Sequence, residues 1–289
     1  MSQRSQWRDY FELCKPRVVM LMLLTSVVGM CLATPHWVPW KPLLFGNLGI
    51  AMVAGAAAVL NHVADQYIDQ RMRRTWHRPV ASGRLSGRQS LVFAGILCVT
   101  GMSVLWWLVN PLTAVLTFMS LTGYAVCYTL YLKHATPQNI VIGGIAGAAP
   151  PLLGWTAVTD SIQPGALLLV LIVFVWTPPH FWALAIHRAE DYANALVPML
   201  PNTHGPEFTR LNIVLYTLLL MAVTLLPWAV GMSGLLYLAG VVPAGMLFLV
   251  HALRLMKGND ASQAIRTFRY SIVYLGIVFL LLLADHYIC

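Results

Sequence analysis

The sequence predicts an all-α protein, a polytopic membrane bundle of nine transmembrane helices. Three observations carry this. Of the 289 residues, 58% are hydrophobic and only 10% charged, with a mean hydropathy of +0.71. A soluble domain carries about 25% charged residues, so this chain cannot dress a water-facing surface. Apolar stretches of roughly 18–22 residues, the length that crosses a bilayer as helix, recur nine times. No period-two alternation marks a transmembrane barrel.

The first stretch, 17–34, follows a polar segment containing Asp9 and Glu12, a poor secretory signal with no small-x-small cleavage site behind it, so it reads as a retained span. The second, 43–63, ends on Asn61 and runs into a polar segment, 64–89, rich in acids and arginines. The third and fourth are 90–108 and 111–131; the fourth carries Tyr124, Tyr128 and Tyr131 near its end. The fifth, 138–158, contains GGIAGAAPPLLG, a composition suited to close helix packing or to leaving room for a flat, bulky ligand. The sixth, 165–185, contains Pro178 and Pro179, which should break its hydrogen-bond ladder. A second long polar segment, 186–208, precedes the last three stretches, 209–230, 234–254 and 268–286. The chain, 1–289, reads as one membrane domain. The five cysteines show no CxxC spacing and read as free thiols.

Lysine and arginine set the orientation. With the N-terminus in the cytoplasm and the C-terminus in the periplasm, every cation except Lys41 falls on an inner segment. Topology therefore accounts for the net charge of +8 without nucleic acid. Both long polar segments, 64–89 and 186–208, then emerge on the cytoplasmic face.

The chain has only ten acidic residues, yet two stand four apart in LNHVADQYIDQRMRRTWHRPVASGRLS, residues 60–86. Asn61, Asp65 and Asp69 fall at i, i+4 and i+8, along one face if the helix continues past the membrane. Carboxylates at that spacing repel, and a divalent cation relieves the repulsion. Oxygen ligands suit Mg²⁺, which takes one or two protein carboxylates and fills its shell with water and substrate phosphate. Arg71, Arg73, Arg74 and Arg78 follow; guanidinium forks bond phosphate oxygens in pairs. The pattern reads as a Mg²⁺-diphosphate site. A solvated helix end, balanced by pairs such as Asp69 with Arg73, is the bland alternative. Asn61, inside an apolar run where polar side chains face a cavity or bundle interior, argues against it.

The second constellation is WTPPHFWALAIHRAEDYANALVPMLPNTHG, residues 176–205. If the helix resumes after the prolines, His180, Leu184, His187 and Asp191 share a stripe, and Asp191 meets the first motif. Arg188 and Glu190 flank it. His180 and His187 are candidates for ligand contact, against the bland readings of a satisfied carbonyl and a polar helix end. Trp182, like Trp176 and Phe181, is first a packing residue. Tyr124 and Tyr128 could stabilise a cation through their faces.

These motifs resemble the intramembrane prenyltransferase superfamily and, within it, the protoheme IX farnesyltransferase (heme O synthase) family. Asn61-x-x-x-Asp65-x-x-x-Asp69, then Met72-x-Arg74-Thr75-x-x-Arg78-Pro79-x-x-x-Gly83, is similar to its first motif. The run from Pro178 to Ile186, with Asp191-Tyr192 and Pro198-Met199-Leu200-Pro201, is similar to its second. Three departures stand out. Tyr67 occupies a position often acidic, Leu196-Val197 replaces a Gly-Ile or Gly-Val pair, and the second motif lacks the Asp-x-x-x-Asp of quinone-type relatives.

The resemblance implies transfer of the farnesyl group of farnesyl diphosphate to a vinyl group of heme b, with water addition, giving heme O. It implies Mg²⁺ held by Asn61, Asp65, Asp69 and Asp191, and diphosphate met by Arg74 and Arg78 with Arg71 and Arg188. Heme would touch His180, His187 or Trp182, with either histidine a candidate for its iron. Tyr124 and Tyr128 would face the allylic cation. It implies a multi-pass inner-membrane enzyme working from the cytoplasmic side, with a heme A synthase or a terminal oxidase as downstream partner. The alternatives are a prenyltransferase acting on a quinone precursor, a transporter with broken helices, and a structural oxidase subunit.

Overall fold

The computed structural model describes residues 6–72, 75–258 and 261–288, and these are mainly helical with no strand among them. Eight helical stretches are long and apolar enough to span a bilayer, at Pro42–Ala64, Gly87–Leu108, Pro111–Leu132, Asn139–Thr159, Pro164–His187, Gly205–Ala229, Leu235–Lys257 and Ser262–Ile288. A ninth arises from α1 (Gln6–Leu13) and α2 (Pro16–Leu32), which meet at 47°. All nine expected stretches are found.

The second span begins with a π-helical turn at Pro42–Gly46 and continues as α3 (Asn47–Ala64), followed by the short α4 (Gln66–Arg71). A Ser86–Gln89 capping box starts α5 (Gly87–Leu108). The fourth span opens as α6 (Pro111–Thr122) and then widens to π-helix over Gly123–Leu132, leading to a single turn, α7 (Lys133–Ala135). The fifth is split into α8 (Asn139–Ala148) and α9 (Pro150–Thr159), and the sixth is α10 (Pro164–His187). Short α11 (Ala189–Asn194) and α12 (Leu200–Thr203) lead to α13 (Gly205–Ala229), α14 (Leu235–Lys257) and α15 (Ala261–Ile288). Chain neighbours pack as spatial neighbours, and α15 closes the circuit against α2 and α10.

Pro178 and Pro179 do not break α10, contrary to expectation. Both are buried, and neighbours hold the helix on its inner side. Trp176 Nε1 donates to the Ser271 carbonyl at 2.7 Å, and His180 Nδ1 meets Ser271 Oγ at 2.7 Å. Tertiary packing of this kind is what lets a membrane helix carry proline.

The small residues of the fifth span serve both purposes expected of them. A Cβ on Gly154 would clash with the Ser26 carbonyl, and one on Gly29 with the Pro151 carbonyl, so α2 and α9 touch backbone to backbone. Gly143, Gly144 and Gly147 instead line an internal cavity. Outward faces carry Val92, Val99, Trp107, Phe118, Met119 and Leu215, all exposed as a lipid-facing surface requires. Cys14, Cys31, Cys98 and Cys127 are free.

Candidate active site

The helix expected to run unbroken through Asn61, Asp65 and Asp69 has a joint at Asp65, where ψ is 4°. The hydrogen-bond rhythm survives it: Asp65 N donates to Asn61 O at 2.9 Å and Asp69 N to Asp65 O at 2.8 Å. All three side chains are buried and line one cavity of about 140 Å³. Asn61 Nδ2 donates to Asp65 Oδ2 at 2.9 Å.

A cationic side chain holds each of the three. Arg78 grips both oxygens of Asp69, at 2.9 and 2.8 Å. Lys133 Nζ lies 2.6 Å from Asp65 Oδ2. Lys15 Nζ donates to Asn61 Oδ1. Lys15 stands at the α1–α2 joint with φ 50°, a left-handed backbone uncommon for a side-chain-bearing residue and often found where function demands it. Sequence reasoning missed Lys15 and Lys133 as site residues and read both as topology signals.

The loop bearing Arg78 is fixed from several sides. Thr75 Oγ1 donates to the Asp69 carbonyl at 3.1 Å, and Gln70 Nε2 to the Ala81 carbonyl at 3.0 Å. Gly83 turns the chain at φ 77°, a conformation that favours glycine. Arg84 reaches back to the N-terminal helix, 3.0 Å from buried Asp9 and 3.7 Å from Glu12.

The remaining expected site residues divide. Tyr124 and Tyr128 stack with centroids 5.5 Å apart and line the cavity with Tyr192, Met72 and Met199. Their neighbour Tyr131 is turned outward and exposed. Arg71 is exposed, and Arg74 lies outside the described residues. The stripe through His180, Leu184, His187 and Asp191 does not form, because α10 ends at His187 and the chain turns at Arg188 before α11. Asp191 pairs with Arg188 at 3.8 Å and is not brought to the carboxylate cavity, and His187 is exposed at the end of α10. Trp182 is not part of the cavity lining and packs edge-on against Tyr216 of α13.

A second cavity of about 530 Å³ adjoins the first, and Lys15, Tyr124 and Tyr128 line both. It is largely apolar, walled by α2, α3, α8, α10 and α15, with His180 and Trp176 on one side and Gly143 and Gly147 on another. A polar pocket of carboxylates and cations thus opens through two tyrosines into a greasy chamber. That is the geometry for activating an anionic leaving group on one end of a long apolar substrate.

The sequence pattern of the UbiA prenyltransferase family matches residues 22–281. The chain belongs to the UbiA prenyltransferase family. Among its UbiA relatives is the protoheme IX farnesyltransferase of Marinobacter nauticus, 62% identical over 282 residues, which cover 98% of this chain and 93% of that protein. That of Hahella chejuensis is 59% identical, covering 98% and 94%. Protoheme IX farnesyltransferase 1 of Pseudomonas putida is 60% identical, covering 99% and 97%. Solved UbiA folds agree in shape. A digeranylgeranylglyceryl phosphate synthase superposes with a TM-score of 0.82 at 17% identity, covering 97% of this chain and 98% of that one. A UbiA homologue from Archaeoglobus fulgidus, bound to GPP and Mg²⁺, superposes with a TM-score of 0.64 at 13% identity, covering 95% and 99%.

Proposed function

We propose that this UbiA-family chain, as a single domain, transfers the farnesyl group of farnesyl diphosphate to a vinyl group of heme b, with addition of water, giving heme O and diphosphate. The observation that carries the chemistry is the junction at Tyr124 and Tyr128, where the carboxylate cavity meets the apolar one. The acceptor follows from the full-length relatives at about 60% identity, which are protoheme IX farnesyltransferases.

The residues fit Mg²⁺. Asn61, Asp65 and Asp69 offer hard oxygens, and Asp65 Oδ1 is sealed from solvent with no hydrogen-bond partner, a donor waiting for a cation. No cluster of three His, Cys, Asp or Glu side chains among the described residues would hold a metal alone. Substrate phosphate is therefore the natural source of the remaining ligands. When bound, Mg²⁺ supplies charge neutralisation of the departing diphosphate. Arg78 and Lys133 add positive charge in the same pocket, which Lys15 also lines. Such preorganised charge is worth most in a water-poor site. Arg71 and Arg188 lie outside the pocket lining and belong to the approach of the anionic substrate.

The C–O bond of the diphosphate breaks to leave an allylic cation beside the Tyr124 and Tyr128 rings. The vinyl group of heme attacks it, forming a C–C bond and moving the charge to the carbon next to the porphyrin. Water adds there and loses a proton, leaving the hydroxyl. The apolar chamber shields the first cation from water. The positive-inside pattern supports a site facing the cytoplasmic side of the inner membrane. The test is an acceptor competition. Purified protein given farnesyl diphosphate, heme b and a quinone-precursor aromatic acid should prenylate heme alone. Prenylation of the acid instead would overturn the acceptor.

A further inference from the structure

We infer that His180 is the axial ligand of the heme iron, through Nε2, with Ser271 as its positioning partner. This rests on the reading of heme b as acceptor. The hydrogen bonds of Ser271 favour one tautomer. Ser271 Oγ donates its one proton to the Phe268 carbonyl at 2.6 Å. It can then only accept from His180, whose Nδ1 lies 2.7 Å away. That arrangement assigns the proton to Nδ1 and leaves Nε2 its lone pair. A metal-ligating histidine characteristically donates its other ring N–H in this way.

Nε2 is free to receive a ligand. Among the described residues it has no hydrogen-bond partner, and it is not among the atoms sealed from solvent. The imidazole lines the 530 Å³ cavity, whereas Ser271, which holds the opposite nitrogen, does not. Trp176 stacks on His180 at 4.2 Å and Phe268 at 4.5 Å, so the ring cannot rotate about its bond. An imidazole clamped on both faces, with its free edge toward an apolar chamber, is preorganised for a planar metal complex lying across that edge. The same chamber runs to Tyr124 and Tyr128. Coordination at His180 would anchor the porphyrin at one point and limit which of its edges can meet the cation.

The rival is a purely structural clamp tying α10 to α15. The two roles separate on the iron. Protein in nanodiscs is titrated with ferric heme b and with metal-free protoporphyrin IX, and affinity and Soret position are read for wild type, His180→Ala, His180→Met and Ser271→Ala. A ligand role predicts that His180→Ala weakens heme at least about tenfold and leaves metal-free porphyrin nearly unchanged. Added imidazole should restore the spectrum. His180→Met, which keeps the volume and offers sulfur, should bind heme with a displaced Soret band, and Ser271→Ala should weaken heme selectively. A clamp would weaken both porphyrins alike. Either that result or an unchanged heme spectrum in both His180 variants overturns the ligand. If the wild type converts heme b while those spectra stay unchanged, only the ligand falls. If the wild type neither binds nor converts heme, the functional reading falls with it.

Discussion

Lys133 Nζ lies 2.6 Å from Asp65 Oδ2, while the other oxygen of that carboxylate is buried without a hydrogen-bond partner. The lysine satisfies half of a carboxylate and leaves the other half for a second cation. Lys133→Met removes one partner of a buried pair, which costs about 3–5 kcal/mol. The melting temperature should fall, and millimolar Mg²⁺ should raise it more in the variant than in the wild type. Equal Mg²⁺ responses would show that Asp65 does not face the metal.

Arg78 meets both oxygens of Asp69 through the single nitrogen Nη1, and its planar guanidinium carries further N–H donors that a lysine does not supply. Arg78→Lys should lower kcat by about 10² while heme affinity stays unchanged. A loss confined to heme binding would move Arg78 out of the diphosphate pocket.

Arg84 ties the Arg78 loop to Asp9, 3.0 Å away on the N-terminal helix, and to the His77 carbonyl at 2.8 Å. Arg84 touches neither cavity lining and acts through loop position. Arg84→Ala should lower kcat/KM for farnesyl diphosphate by about tenfold, since an ångström of misplacement can cost up to 10²-fold. Arg84→Lys should recover most of the loss. Unaltered kinetics in Arg84→Ala would show that the loop holds itself.

Leu196 sits at φ 56° and is 78% exposed. A left-handed backbone costs an ordinary residue about 1–2 kcal/mol, part of which glycine's greater unfolded-state freedom offsets. Leu196→Gly should therefore stabilise the protein by up to about 1 kcal/mol without changing turnover. Destabilisation would mean that the exposed leucine packs against something in the membrane.

The nine spans were legible because bilayer thickness forces a run length that composition alone reveals. The Asn61–Asp65–Asp69 face was legible because the helical hydrogen-bond rhythm survives the joint at Asp65. Lys15 and Lys133 were not. Each reaches the pocket through backbone that no 3.6-residue period describes, Lys15 from a left-handed joint and Lys133 from the end of a π-helical stretch. The second constellation misled for the opposite reason. Proline marks suggested a break at 178–179, yet packing on Ser271 carried the helix through and the real turn came at Arg188. Asp191 consequently left the stripe and His180 stayed on the cavity.

The most direct measurement is the mass of heme extracted after purified protein is given heme b, farnesyl diphosphate and Mg²⁺, beside a chelated sample and Asp65→Asn. The expected result is a heme heavier by one farnesyl group and one hydroxyl, absent from both controls. Unmodified heme from folded wild-type protein, or full conversion by Asp65→Asn under chelation, would contradict farnesyl transfer at the Asn61–Asp65–Asp69 pocket.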